Sequence, residues 1–407
     1  MTSAGPSLSP PLASRTPPNL LSSLCEQTRF FFASSRGALL SGPHSSGERL
    51  TPTEACSDDL ANRLRTLRTE TGARACVAGA IPFEANGDAA LFLLRDPWRG
   101  SQRPQSSDGD GRPRTLLSAL RAYGVSLEPS PAQYTGGVAR LLDQIAQGKL
   151  EKAVLARSVS VSFDAPLSRV DFLRALARQN PQGFVFWLSL PAPHDDPRCL
   201  VGASPELLIR KQGRHVFSNP LAGSRPRARD PQEDARMARE LDTSEKDLRE
   251  HALVVEGLVE SLRPWCRELR VPAPALICTP TMWHLSTSIS GELRDERCSS
   301  LSLARALHPT PAVCGTPQRA AQKWLRELEG APRGLFAGAV GYTDEDGDGE
   351  WAVTLRCAEL GPRSLRAWAG AGIVAGSDPW AEFEETAAKL ETILRVLGLC
   401  QPHPVRA

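Results

Sequence analysis

Two acidic pairs at helical spacing, more than a hundred residues apart, constrain this chain more than any other feature of it. Asp247 and Glu250 stand three apart in Ser244-Glu245-Lys246-Asp247-Leu248-Arg249-Glu250-His251. Glu382 and Glu385 repeat the spacing in Ala381-Glu382-Phe383-Glu384-Glu385-Thr386, with Lys389 one turn further on. Residues three and four apart share one helix face, so each segment presents two carboxylates side by side. If the fold joins the two faces, like charges at about 4 Å cost about 4 kcal/mol at an effective dielectric of about 20. Such a site demands a cation, and all-oxygen ligands with room for water suit Mg²⁺. Two separate solvated faces would need none, and either cluster alone reads more simply that way.

The rest of the chain narrows the classes. With 407 residues it can bury one large core or two ordinary ones. A net charge of +2 gives no electrostatic warrant for a nucleic-acid or membrane partner, and no run of about 18 apolar residues is present to span a bilayer. The ten cysteines are scattered singly, without a Cys-x-x-Cys pair. That points to a reducing, cytoplasmic setting and away from a metal–thiolate site. Of 48 Lys plus Arg only six are lysine, leaving 42 arginines. A chain that uses arginine for ordinary surface charge makes each lysine informative.

Residues 1–20, rich in Ser and Pro and free of acidic groups, read as a disordered tail. Arg99 to Arg114 reads as a mobile loop. From about residue 131 to 400 strand and helix signals alternate densely, with no internal repeat. Glu151 to Val161 alternates as a strand, Asp171 to Arg178 reads as a helix and Gly183 to Leu188 as a buried strand. Leu207–Arg210 and His215–Asn219 form a hairpin. Gln232 to Leu262 reads as one long amphipathic helix carrying the first acidic pair. Ala337–Tyr342 and Glu350–Cys357 are strands around a turn, Arg366–Trp368 is another strand, and Trp380–Leu397 is the helix of the second pair.

The turn Asp344-Glu345-Asp346-Gly347-Asp348-Gly349 opens like an EF-hand loop. Leu355 stands where that loop requires a bidentate glutamate, and strands flank it, so a hairpin turn is expected. Glu206, between Pro205 and Leu207, sits where desolvation raises a carboxyl pKa, as a general acid requires. Pro220 to Arg225 and Ala369 to Ile373 read as glycine turns that admit a ligand close to the backbone. Thr354-Leu355-Arg356-Cys357 sets a guanidinium in an apolar strand, where it needs a carboxylate from protein or substrate.

These segments resemble the chorismate-utilising enzymes, and among them the isochorismate synthases. The resemblance runs in order through Glu151–Arg157, Gly202–Leu208, Pro220–Arg225, Ser244–His251, Pro280-Thr281-Met282-Trp283-His284-Leu285, Leu307–Ala312, Thr354–Ala358 and Ala369–Val374 with Glu382–Lys389. It implies an α+β fold of two packed antiparallel β-sheets with helices outside and an active-site cleft between the sheets and the acidic helices. Residues 21–130 would form the weakly matched N-terminal part of that fold, and 131–400 the chorismate-binding catalytic domain. It also implies Mg²⁺ as cofactor, chorismate as substrate, a monomer, and no glutaminase subunit.

Residue by residue, the resemblance makes Lys152 the base that activates water and Glu206 the acid that protonates the departing hydroxyl. It makes Glu250 and Glu385 the metal ligands, with Asp247 and Glu382 in support. Arg356 and Lys389 would bind carboxylates, and Gly223, Ser224, Ala312, Gly370 and Gly372 would shape the substrate pocket. The chemistry is consistent: water adds at ring C2 while the C4 hydroxyl leaves, so a base and an acid are both needed. Two rivals use the same scaffold. A salicylate synthase would go on to eliminate pyruvate, but the apolar Ala312 and Val313 stand where salicylate-forming relatives tend to carry a hydroxyl. An anthranilate-type subunit would need ammonia, and Lys152 speaks against it. A third reading, a catalytically dead relative, is opposed by every presumed catalytic position being filled.

Overall fold

The computed structural model describes residues 19–41, 48–51, 54, 60–72, 74–100, 120–192 and 196–399. Most of the expected tail, and of the expected loop beyond Gly100, lies outside those residues. The fold is α+β, with a ten-stranded and a nine-stranded antiparallel sheet. In the ten-stranded sheet the path runs Gly315–Thr316, Lys152–Phe163, Ser364–Ile373, Cys357–Leu360, Arg198–Ser204, Phe184–Leu190, Phe30–Ser34, Gly37–Leu40 and Trp98–Gly100, with Ala122–Glu128 also beside Lys152–Phe163. The nine-stranded sheet centres on Leu207–Gln212, Gly349–Val353, Ala339–Asp344 and Ala75–Ile81. Strands from residues 30–100 therefore complete both sheets, and the N-terminal part shares one structure with the rest.

Period-two alternation builds two cores around the larger sheet. Phe30, Phe32, Phe186 and Leu188 point into the core shared with Val77, Leu91, Ile209 and Trp351 of the second sheet. Their neighbours Phe31, Trp187, Val201 and Ala367 point the other way, onto Phe172 and Leu176 of helix Arg169–Gln179 and Leu390 and Ile393 of helix Pro379–Leu394. Burying each such large side chain contributes about 1.5–3 kcal/mol. The central strands of the sheet, Phe30–Ser34 and Phe184–Leu190 among them, are covered on both faces and are correspondingly apolar.

The two large sheets are those expected, and a third, three-stranded sheet joins Leu221–Pro226, Met282–Ser286 and Ala275–Cys278. Three sequence expectations need correction. The segment read as one helix from Gln232 is two, Pro231–Thr243 and Glu245–Leu262. Ser244 breaks it: its extended backbone (φ −74°, ψ 109°) lets its hydroxyl accept from Asp247 N at 3.3 Å, a cap of about 1 kcal/mol. The expected glycine turns are strands, Leu221–Pro226 and Ser364–Ile373, in which small residues make room beside the sheet. Arg356 lies not within a strand but in a break between Gly349–Val353 and Cys357–Leu360, at φ +47°. The acidic turn is a hairpin, with Asp344 Oδ1 accepting from the backbone of Asp346 and Asp348.

Candidate active site

The two acidic helices start where their caps dictate. Asp378 accepts from Trp380 N and Ala381 N at 3.1 and 2.8 Å, and Pro379 opens the helix, where its missing N–H costs nothing. The two helices then bring their acidic faces together over the glycine-bearing strand Ser364–Ile373, and Lys246 of one reaches Glu382 of the other at 2.6 Å. Arg157 Nε donates to Thr386 Oγ1 at 2.6 Å and ties the Lys152 strand to the second helix.

A cavity of about 60 Å³ opens between these helices and the sheets. Ten of the thirteen expected site residues line it: Glu206, Gly223, Ser224, Glu250, Ala312, Arg356, Gly370, Gly372, Glu385 and Lys389. Lys152, Asp247 and Glu382 do not. Lys152 is fully buried, with its Nζ 2.9 Å from Glu250 Oε1, and Val154 takes the strand's place in the wall. Asp247 is turned onto Arg225 at 2.7 Å. Gly223 (φ +77°) packs against Asp247, where an added Cβ would stand 3.1 Å from the aspartate's own Cβ.

The expectation that the shared carboxylates must recruit a cation is met differently here. Each has a protein partner: Glu250 has Lys152, Asp247 has Arg225, Glu382 has Lys246 and Glu385 has Lys389 at 2.5 Å. Burial works to raise Glu250, but Lys152, Lys246 and Lys389 together hold it below the usual carboxylate range. Glu382 is pushed up to about 7, first by burial and then by Glu385, against the pull of Lys246. Among the described residues no three Asp, Glu, His or Cys side chains stand ready around a metal. The donor chemistry nevertheless fits Mg²⁺: Glu250 and Glu385 are hard oxygen donors on one cavity wall, leaving further positions for water or a ligand.

Two groups are set for chemistry on an anion. Burial pushes the Glu206 carboxyl up to about 8, although the backbone of Leu221 and the charges of Lys152, Arg356 and Lys389 all oppose it. It therefore carries a proton at neutral pH. Arg356, only 7% exposed, forms no ion pair among the described residues. Burial lowers it to about 10, against the attraction of Glu385 and Glu206, so it stays charged. Lys389 Nζ donates to Gly370 O at 2.9 Å.

Sequence reasoning gave no role to several wall residues. His284 shares a 2.8 Å hydrogen bond with Ser224 through Nδ1, and burial, then Arg356 and Lys389, keep its imidazole neutral. The alternation of Met282–Ser286, which turns His284 inward beside the outward Trp283, was the available signal. Arg333 donates to Glu329, to Val313 O at 2.6 Å and to Val154 O at 2.5 Å, holding two wall segments together. Its i,i+4 spacing from Glu329 was visible at the end of helix Gln318–Glu329. Phe336 and Trp368 stack at 5.9 Å to complete the wall.

The chain belongs to the chorismate-binding enzymes, whose family profile matches residues 102–398. It is 44% identical over 380 residues to the isochorismate synthase DhbC of Bacillus subtilis, covering 91% of this chain and 94% of that one. It is 38% identical to the vibriobactin-specific isochorismate synthase of Vibrio cholerae, covering 94% of each. The crystal structure of a putative 2,3-dihydroxybenzoate-specific isochorismate synthase, DhbC from Bacillus anthracis, superimposes with a TM-score of 0.86 at 40% identity, over 93% of this chain and 99% of that one.

Proposed function

We propose that this chain is an isochorismate synthase, an isomerase converting chorismate to isochorismate in the cavity between the acidic helices and the sheets. The observation that carries the reading is the pairing of Arg356, charged and in no ion pair among the described residues, with Glu206, a carboxyl still protonated at neutral pH, on one wall. The substrate is a dicarboxylate that must lose a hydroxyl, so it needs both.

Arg356 and Lys389 receive carboxylates. Glu206 gives its proton to the C4 hydroxyl, which leaves as water when the C4–O bond breaks. A second water forms the new C–O bond at C2, the ring double bonds shift, and Lys152, which can act as base only as the neutral amine, takes that water's proton. One water enters and one departs, so the sum is an isomerisation. In the resting arrangement Glu250 stands between Lys152 and the cavity, so the reactive arrangement requires its carboxylate to swing off Nζ. Mg²⁺, held by Glu250 and Glu385 with Asp247 and Glu382 behind them, would offset the substrate's negative charge. The apolar Ala312 and Val313 offer no hydrogen bond to fold the enolpyruvyl group over the ring, which favours stopping at isochorismate over salicylate.

The product would feed siderophore, salicylate or menaquinone synthesis. Unpaired buried cysteines such as Cys76, Cys199 and Cys357 support a cytoplasmic setting, and no described helix is long and apolar enough to cross a membrane. The test is incubation of the purified protein with chorismate and Mg²⁺, with and without ammonium, followed by separation of products. Isochorismate in both arms supports the reading; an aminated product, or salicylate with pyruvate as the main products, overturns it.

A further inference from the structure

A second cavity, of about 410 Å³, adjoins the first. Pro205 and Arg356 line both. Its other walls include Asn180, Asn219, Arg227, Cys278 and Thr392, from the turn before strand Phe184–Leu190, the edge strand Ala275–Cys278 and helix Pro379–Leu394. The inner cavity, at about 60 Å³, is room for roughly four to six waters. The outer one, at about 410 Å³, is several times roomier.

Charge gives the outer cavity a direction. Arg227 is matched by Asp234, whose carboxylate accepts from both Nε and Nη2 at 2.7–2.9 Å. Arg356 has no such partner, and its position in a break between strands places it at the boundary between the two spaces. An anion in the outer cavity meets in Arg356 a guanidinium that forms no ion pair among the described residues, and that residue also walls the inner site. A cleft with an uncompensated charge draws in a ligand of opposite sign and raises its encounter rate.

We propose that the outer cavity is the entry route for the dianionic substrate, with Arg356 receiving a carboxylate from outside and passing it to the inner site. The proposal rests on the chorismate reading above. It assigns the lining of the outer cavity to substrate access and Arg356 to a part in binding before the reactive complex forms.

Cys278 is a native handle, exposed and on the outer wall beside Arg227. The test uses the full-length protein with Cys25, Cys56, Cys298 and Cys400 replaced by serine, leaving Cys278 as its exposed thiol. Modification with fluorescein maleimide should lower kcat/KM for chorismate about tenfold or more, because that ratio reports capture by the free enzyme. The small methylthio label from methyl methanethiosulfonate should change it less than about twofold. A mixture of chorismate and Mg²⁺ should slow maleimide labelling, and a further Cys278→Ser change should abolish the inhibition. Complete labelling with kcat/KM unchanged, or a loss in kcat alone, overturns the entry route while leaving the activity in place. Failure of the unlabelled wild-type protein to turn over chorismate would instead sink the functional reading.

Discussion

Lys152 Nζ lies 2.9 Å from Glu250 Oε1, and the pair fits only because residue 372 has no side chain. A Cβ at Gly372 would stand 2.0 Å from that same oxygen and 3.1 Å from Lys152 Cε. Gly372→Ala therefore has to push the glutamate carboxylate aside while leaving the sheet pairing intact. Activity should fall about 100-fold, since small displacements of reacting groups carry costs of that order. Circular dichroism should show the fold intact; retained activity would mean the pair is not part of the machinery.

The same pair separates a structural from a chemical role for Lys152. Lys152→Met leaves Glu250 buried without its nearest cation, a loss of about 3–5 kcal/mol. Adding Glu250→Gln removes the stranded charge and should return most of the stability. Activity should not return: the single and double variants should both lie about 10²–10⁴-fold below wild type, as expected when a general base is removed. Denaturant melts and kcat on the two variants decide this, and recovery of kcat in the double variant would exclude Lys152 as the base.

Glu206 predicts the alkaline side of the pH profile. Its carboxyl is raised from the usual carboxylate range to about 8 by burial, so the acid form is lost as pH climbs through about 8, and kcat should fall with it. The sign for stability runs the same way. The unfolded chain ionises near the ordinary carboxylate value while the folded chain stays protonated, so wild-type stability declines between the two pH values. Glu206→Gln should thus lose activity yet gain in relative melting temperature from pH 5 to pH 8. A melting difference that does not change with pH would contradict the raised pKa.

Mg²⁺ should be required, and its effect should depend on the substrate. Glu250 and Glu385 are already paired with lysines, so the metal alone competes with Lys152 and Lys389 for them. Chorismate supplies further oxygens and charge, so Mg²⁺ and chorismate together should raise the melting temperature more than the sum of each alone. Glu385→Gln should remove that surplus along with activity. Full activity after treatment with EDTA would remove the metal from the account.

Much of this was legible in the chain. The i,i+3 acidic spacing gave two acidic helix faces, though not that they meet, and the alternation of Glu151 to Val161 gave the strand that buries Lys152. What was hidden depends on tertiary placement. The partners of the four carboxylates come from Lys152, Arg225, Lys246 and Lys389, and the spacing of the acids announces only the last, four residues after Glu385. The glycine segments Pro220–Arg225 and Ala369–Ile373 carry the local signature of turns, and only pairing with their neighbours makes them parts of strands. Ser244 is a good cap and also a tolerable interior residue, so the break in the first acidic helix could not be told from composition. Arg356 at positive φ is a backbone feature that no side-chain pattern reports.

The central claim is that water enters at C2 and the C4 hydroxyl departs, within one cavity and with no further product. Running the reaction in ¹⁸O-labelled water with Mg²⁺ and analysing the product by mass spectrometry tests it in one measurement. The account predicts isochorismate carrying one ¹⁸O, in the C2 hydroxyl, with neither salicylate nor pyruvate as a main product. Isochorismate that keeps the original oxygen would contradict it, as would salicylate and pyruvate as the main products.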